Sequence, residues 1–288
     1  MSTLHARVTR HQTDHHEWEM VRRAPHPMLR PYVLGYEGFT ERAARLVCRR
    51  ELPNGAAVLI LNFGAPYRVR DPRQPTRVDA PRLGFVSGLY ETYVLVESQG
   101  LAQCIQVNFT PLGMRRFLGM PMREVTNRVV DVGEVLGAAA MRLLEHLDEA
   151  PDWESRFRLV DAFIAARLKQ TPSPPTGVAW AWRQIDMAAG CLSIGTLPEE
   201  LGWSQKHLIA QFREHVGLPP KTLARILRFN RVIRDLTRDD NPGWAEIAYR
   251  SGYYDQAHLI RDFRAFAGCT PSEYLGRRLP NGGGVNGE

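Results

Sequence analysis

Apolar and polar positions follow two different periods along this chain, and the change of period divides it. Residues 1–20 are polar, carry His11, His15 and His16, and sustain no period, which predicts a mobile arm. From Tyr32 to Thr110 the apolar positions fall into short β-branched and aromatic runs, residues 56–63, 93–97 and 104–109. Pro53-Asn54-Gly55, Asp71-Pro72 and Ser87-Gly88 punctuate them, so this stretch predicts antiparallel strands and turns. Helical spacing begins after Pro111, through Met114, Phe117 and Leu118, and predicts helices over 135–147 and 153–168. Residues 21–168 are therefore expected to form a β-rich domain with helices at its C-terminal end. Pro172, Pro174 and Pro175 lie in the polar stretch 169–177, a composition that favours an extended connector. Residues 178–280 have helical spacing almost throughout, including a long segment over 221–237, while the glycine-rich 281–288 predicts a disordered tail.

A single pattern occurs twice within the helical region. His207-Leu208-Ile209-x-x-Phe212-Arg213-x-x-x-Gly217-x-x-Pro220 returns as His258-Leu259-Ile260-x-x-Phe263-Arg264-x-x-x-Gly268-x-x-Pro271. In each copy the Leu and Phe are four residues apart, on one helix face, and the glycine closes the helix. A short amphipathic segment precedes each, Leu197 to Leu201 before Gly202-Trp203 and Trp244 to Ser251 before Gly252-Tyr253. Asn241-Pro242 supplies an N-cap residue and a proline to open the second. Helix, tight turn, helix, repeated, is the arrangement in which the second helix of each unit enters the DNA major groove.

Composition narrows the class. The 288 residues are 44% hydrophobic and 24% charged, as in a globular protein, and neither a membrane-span length of apolar residues nor a secretory core is present; a cytoplasmic protein is expected. Cys48, Cys104, Cys191 and Cys269 are scattered without C-x-x-C spacing, so no disulfide framework, zinc site, other metal or cofactor is expected. The net charge of +6 permits nucleic-acid binding, but residues 178–288 hold 14 Lys and Arg against 12 Asp and Glu, so the excess is not concentrated there. Placement carries more: Arg225, Arg228, Arg231 and Arg234 recur every third residue, as phosphate contacts or as a solvated helix face.

With Ile247-Ala248, Gly252-Tyr253, Asp255-Gln256-Ala257-His258-Leu259, Arg261, Phe263, Gly268 and Pro271-Ser272-Glu273-Tyr274, residues 178–279 resemble the DNA-binding domain of AraC/XylS-type transcription regulators. The resemblance implies an α+β chain: a β-rich, cupin-like N-terminal domain with appended helices, then an all-α domain of two helix-turn-helix subdomains joined by a long helix. It implies double-stranded DNA as partner, a homodimer, contact with RNA polymerase, and no membrane. Two departures stand out. Leu197-Pro198 replaces the usual apolar-alanine pair of the first helix, which predicts a helix that starts late or bends, and Ala210 stands where the second copy has Arg261.

Candidate base-reading residues are those at the exposed start of each recognition helix: Ser204, Gln205, Lys206 and Gln211 in the first, Asp255, Gln256 and Arg261 in the second. Gln suits adenine, and Arg or Lys suits guanine. His207 and His258 are candidates for a phosphate or for packing beside the apolar anchors, and Ser204 doubles as an N-cap candidate. Arg225, Arg228 and Arg231 are the candidate phosphate contacts.

For the N-terminal domain the resemblance implies effector sensing or dimerisation. Aromatics on the expected strands, Tyr36, Phe39, Phe63, Tyr67, Phe85, Tyr90, Tyr93 and Phe109, with Glu51, Asn62, Arg68 and Asn108, are the candidate ligand pocket. Control by a protein partner or by abundance alone is the alternative. An N-terminal enzyme is disfavoured: no histidine lies between His26 and His146 to hold a cupin-type metal, and neither Cys48 nor Cys104 has a histidine near it in sequence, so no catalytic residues are assigned.

Overall fold

The computed structural model describes residues 6–13, 16–236, 243–278 and 285–287. Eight strands form one antiparallel sheet: β1 (Arg7–Gln12), β2 (His16–Arg23), β3 (Val33–Glu51), β4 (Ala57–Asn62), β5 (Arg68–Arg70), β6 (Gly84–Ser87), β7 (Val94–Phe109) and β8 (Val129–Asp131). The order is β1-β2-β3-β7-β4-β6-β8, with β5 paired to β7 beyond the end of β4. The long strands β3 and β7 form its spine, paired from Val33↔Phe109 to Glu51↔Val94 with a register shift between Ala43 and Val47. Where two separate strands were expected over 93–97 and 104–109, one continuous strand runs from Val94 to Phe109.

Strand alternation sends successive side chains of the spine to opposite faces. Ile105, Val107 and Phe109 join Tyr36 in a core against the helices α1 (Pro111–Leu118), α2 (Val132–Leu136), α3 (Ala138–Glu149) and α4 (Trp153–Leu168). There Tyr36 stacks on Phe157 at 5.7 Å, and Phe109 meets Phe117 at 5.0 Å. Cys104 faces the other way, with Ile60, Tyr67, Val69, Phe85 and Val94. The expected helix over 135–147 is divided at Gly137, whose φ of 57° and ψ of −144° cannot continue a helix.

The expected mobile arm over 1–20 is corrected where it is described: β1 and β2 form a hairpin, in register from Arg7↔Arg22 to Gln12↔Glu17, and β2 pairs with β3. Its polarity reflects an edge strand, since no residue of β1 is buried.

The C-terminal helices are α5 (Thr176–Met187), α6 (Thr196–Leu201), α7 (Gln205–His215), α8 (Pro220–Asp235), α9 (Trp244–Arg250), α10 (Gln256–Ala267) and α11 (Pro271–Gly276). Thr176 and Gly177 of the expected connector already belong to α5. The duplicated anchors Leu208, Phe212, Leu259 and Phe263 are buried together with Leu223, Ile226, Phe229 and Val232 of α8, so the long helix serves as the shared core of both helix pairs. Helix α6 starts at Thr196, which puts Pro198 in the first turn, where a missing N–H breaks no intrahelical bond. The late start is thus the way the fold accepts the proline. The Asn241-Pro242 opening lies outside the described residues, as does Thr237. No helix among the described residues is long and apolar enough to cross a membrane.

The expected disordered tail is also corrected over 285–287. Val285 accepts from the Arg50 amide at 2.8 Å, the Gly287 amide donates to the Cys48 carbonyl at 3.0 Å, and the Val285 side chain is buried. Residues 281–284 and 288 lie outside the described residues.

Candidate nucleic-acid interface and effector cavity

Each recognition helix is capped by its own first polar residue. Ser204 Oγ accepts from the His207 amide at 3.1 Å, and Asp255 Oδ1 accepts from the His258 amide at 2.7 Å. These bonds occupy two expected base readers, so Ser204 and Asp255 serve the helix termini first. The two histidines also have equivalent packing: His207 meets the Trp203 ring edge-on at 4.7 Å, and His258 meets Tyr253 at 5.1 Å. The equivalence holds despite unequal turns, Gly202-Trp203-Ser204 against Gly252-Tyr253-Tyr254-Asp255. The extra residue is Tyr254, which is 93% exposed, and Tyr249 of α9 is 85% exposed. Sequence reasoning passed over both because aromatics at helical spacing ordinarily belong to a core.

Gln205, Lys206 and His207 of α7 are exposed, with Gln211 half-buried; Gln256 and Arg261 of α10 are exposed, with His258 half-buried. The unpaired polar side chains at the starts of both helices therefore face outward.

The arginine row of α8 is different. Arg225, expected at a phosphate, is engaged within the domain: its Nη2 lies 2.7 Å from Oδ1 of Asp262, a buried carboxylate on α10, and its guanidinium covers Phe266 at 5.1 Å. Arg228 covers Tyr253 at 5.5 Å, and Arg231 Nη1 lies 4.0 Å from Cys191 Sγ. Both are half-buried. A period of three on a helix whose other faces are buried turns these side chains toward neighbouring helices as well as solvent.

Comparison with known proteins identifies the helical C-terminal domain. Residues 197–277 match a family described as a helix-turn-helix domain, over both helix pairs. Residues 197–277 thus form an AraC-type helix-turn-helix domain. Residues 21–131 match a domain of unknown function, DUF6597. Among relatives, two uncharacterized HTH-type transcriptional regulators of Staphylococcus aureus, SAS0078 of strain MSSA476 and SAR0107 of strain MRSA252, are each 33% identical over 87 residues. That stretch covers 30% of this chain and only 12% of the length of each relative. Among solved structures, ToxT from Vibrio cholerae O395 aligns with a TM-score of 0.45 and 12% identity, covering 80% of this chain and 96% of its own. The AraC-like transcriptional activator CuxR aligns at 0.30 and 14% identity, covering 81% and 86%.

Both recognition helices of this AraC-type domain end against the N-terminal sheet domain. Gly217 follows α7 with φ +97°, and a Cβ there would lie 2.1 Å from Thr126 Oγ1. Gly268 caps α10 with φ +67°, and a Cβ there would lie 2.2 Å from the Tyr93 ring. Each repeated glycine thus serves two needs, a left-handed cap and close approach. Glu214 of α7 pairs with Arg115 and Arg123, while Thr92 Oγ1 donates to the Ala265 carbonyl at 3.1 Å. Arg50 donates to the Ala267 carbonyl at the end of α10 and covers the Tyr93 ring at 4.3 Å.

The sheet face opposite the four helices lines an open cavity of about 340 Å³. Five expected pocket residues line it: Phe39, Glu51, Tyr67, Phe85 and Tyr90. Its remaining walls include Val58, Ile60, Val69, Val94, Val96 and Cys104, which the emphasis on aromatics missed. The Tyr67 hydroxyl lies 3.4 Å from Cys104 Sγ, and burial pushes the Cys104 thiol up to about 12 and the Tyr90 phenol up to about 12. Both groups are therefore neutral hydrogen-bonding groups in the cavity wall.

The other seven expected pocket residues do not line this cavity. Tyr36 and Phe109 belong to the helix-facing core, where the Tyr36 hydroxyl donates to Asp161 at 2.6 Å. Phe63 packs toward Trp153 at 6.4 Å, and Asn62 Nδ2 bonds the Gly64 and Arg82 carbonyls. Arg68 is an exposed partner of Glu97 at 3.6 Å. Tyr93 belongs to the α10 seam, and Asn108 accepts from Gln106 at 2.9 Å beside the cleft that Leu227 and Asn230 of α8 help to line. Strand parity explains the division: Tyr36 and Phe39, an odd number of residues apart, face opposite sides.

Proposed function

We propose that this chain is a sequence-specific transcription regulator whose DNA affinity is set by a small molecule in the sheet cavity. One observation carries the reading: the strands that line the cavity also hold the second recognition helix. Glu51 and Val94 line the cavity, and their chain neighbours Arg50 and Tyr93 contact the Ala267-Gly268 end of α10. A ligand that moves β3 and β7 apart or together therefore acts on the position of α10 with no intervening element. Gln205, Lys206, Gln211, Gln256 and Arg261 are the proposed base readers, Ser204 and Asp255 orient their helices, and His207, His258, Arg228 and Arg231 are the proposed phosphate contacts. The asymmetry between Ala210 and Arg261 gives the second unit the greater share of discrimination. A homodimer would set two such units on one operator, and RNA polymerase is the partner through which activation would act.

Linkage supplies the test. A metabolite that binds one arrangement of the seam better than the other must change DNA affinity by the same factor by which DNA changes its own. We expect metabolites that raise the melting temperature of the full chain to shift its duplex affinity by about 5-fold or more, read by fluorescence anisotropy with and without ligand. Tight binding in the cavity with unchanged duplex affinity rejects effector control and favours regulation by abundance.

A further inference from the structure

One charged side chain of the cavity wall lacks a partner, and it points to the chemistry of the ligand. Four charged side chains line it: Arg22, Glu37, Arg49 and Glu51. Arg22 is paired to Glu37 at 3.2 Å. Arg49 is held by the buried Glu41, which also accepts from Ser98 Oγ at 2.6 Å and lies 2.6 Å from His16 Nε2. Glu51 remains. Among the described residues no hydrogen bond or ion pair engages its carboxylate. Glu51 is exposed and lines the cavity, whose walls include Val58, Ile60, Val69, Phe39, Phe85 and Tyr90.

We propose that the effector is a small apolar amine, its cationic head paired with Glu51 and its apolar body against Phe39, Phe85 and Tyr90. This rests on the effector reading above and supplies its ligand class. An ammonium is the complement to an unpartnered carboxylate in apolar surroundings, and aromatic faces attract a desolvated cation further. An anionic ligand has no such complement, because both arginines of the wall are already neutralised. Burial pushes the Glu51 carboxyl above its usual range, with Arg49 opposing and Glu37 reinforcing the shift. Desolvation by the surrounding wall disfavours the carboxylate, a cost that a bound cation offsets. A volume of about 340 Å³ is at the small end for ligand pockets, which suits one ring and a short chain.

Three probes of matched shape test the class on the full chain: 4-phenylbutylamine, 4-phenylbutanol and 4-phenylbutyrate, titrated by calorimetry at neutral pH. The amine is expected to bind at least about tenfold more tightly than the alcohol, and the carboxylate more weakly than either. In Glu51→Gln the amine should fall to the level of the alcohol while alcohol binding is unchanged, which also certifies that the variant is folded. Alcohol or carboxylate binding as tightly as the amine, or an amine indifferent to Glu51→Gln, overturns the amine class and leaves the effector cavity standing. No binding by any of the three overturns both.

Discussion

Replacing Phe263 by alanine is expected to destabilise the DNA-binding domain by about 3–5 kcal/mol, the range for truncating a fully buried phenylalanine. Phe263 is fully buried, meeting Phe229 of α8 edge-on at 5.2 Å and Tyr274 of α11 at 5.5 Å. It therefore joins three helices at one point, and no single neighbouring side chain can fill the space it leaves. Thermal unfolding of the variant followed by circular dichroism measures the loss. Destabilisation below about 1 kcal/mol would show that α10 is held chiefly by its seam with the sheet rather than by its own core.

Arg225→Ala should be the second most damaging change, by about 3 kcal/mol, because it leaves Asp262 as an unpaired buried carboxylate. The Arg225 side chain is 35% exposed and that of Asp262 only 5%, so the loss comes mainly from the carboxylate. Replacing both residues should recover some of it, since the second substitution removes the stranded charge. The salt dependence of DNA binding distinguishes this account from a phosphate contact. With Arg225 engaged inside the domain, the slope of affinity against salt should be unchanged in the variant; a slope lowered by about one with stability intact would return Arg225 to the phosphates.

The helical half of the fold was legible in the sequence because its determinants are local. Spacing of Leu208 to Phe212 and Leu259 to Phe263, the caps at Ser204 and Asp255, and the glycines at 217 and 268 each act within one or two turns. What those glycines also do, meeting Thr126 and Tyr93, depends on contacts about a hundred residues or more away and left no local signal. The sheet half was legible in kind but not in extent. Strand β1 has no buried residue, and β2 carries a buried Arg23 paired to Asp161 at 2.7 Å, so the hairpin lacks the apolar alternation that announces a strand.

The cavity was half legible for a related reason. Aromatic identity was used where parity was the stronger guide: Ile105, Val107 and Phe109 share one face of β7, Cys104 and Gln106 the other. Applying that alternation to β3 and β7 separates Phe39 from Tyr36 without a structure. The arginine row is ambiguous for another reason. A period of three on α8 marks a face, but whether that face meets solvent or α10 depends on the partner, and Asp262 was hidden inside the second recognition helix as one more polar position.

The most direct test of the account is the titration of the chain and of Arg261→Ala on a duplex selected by the chain from random sequence, and on random DNA, at several salt concentrations. Arg261 is exposed on α10 and has no counterpart at Ala210 of α7. The account predicts that the variant loses about 1–3 kcal/mol on the selected duplex and little on random DNA. Failure to enrich any sequence, or equal losses on both duplexes, would contradict sequence reading by the second recognition helix.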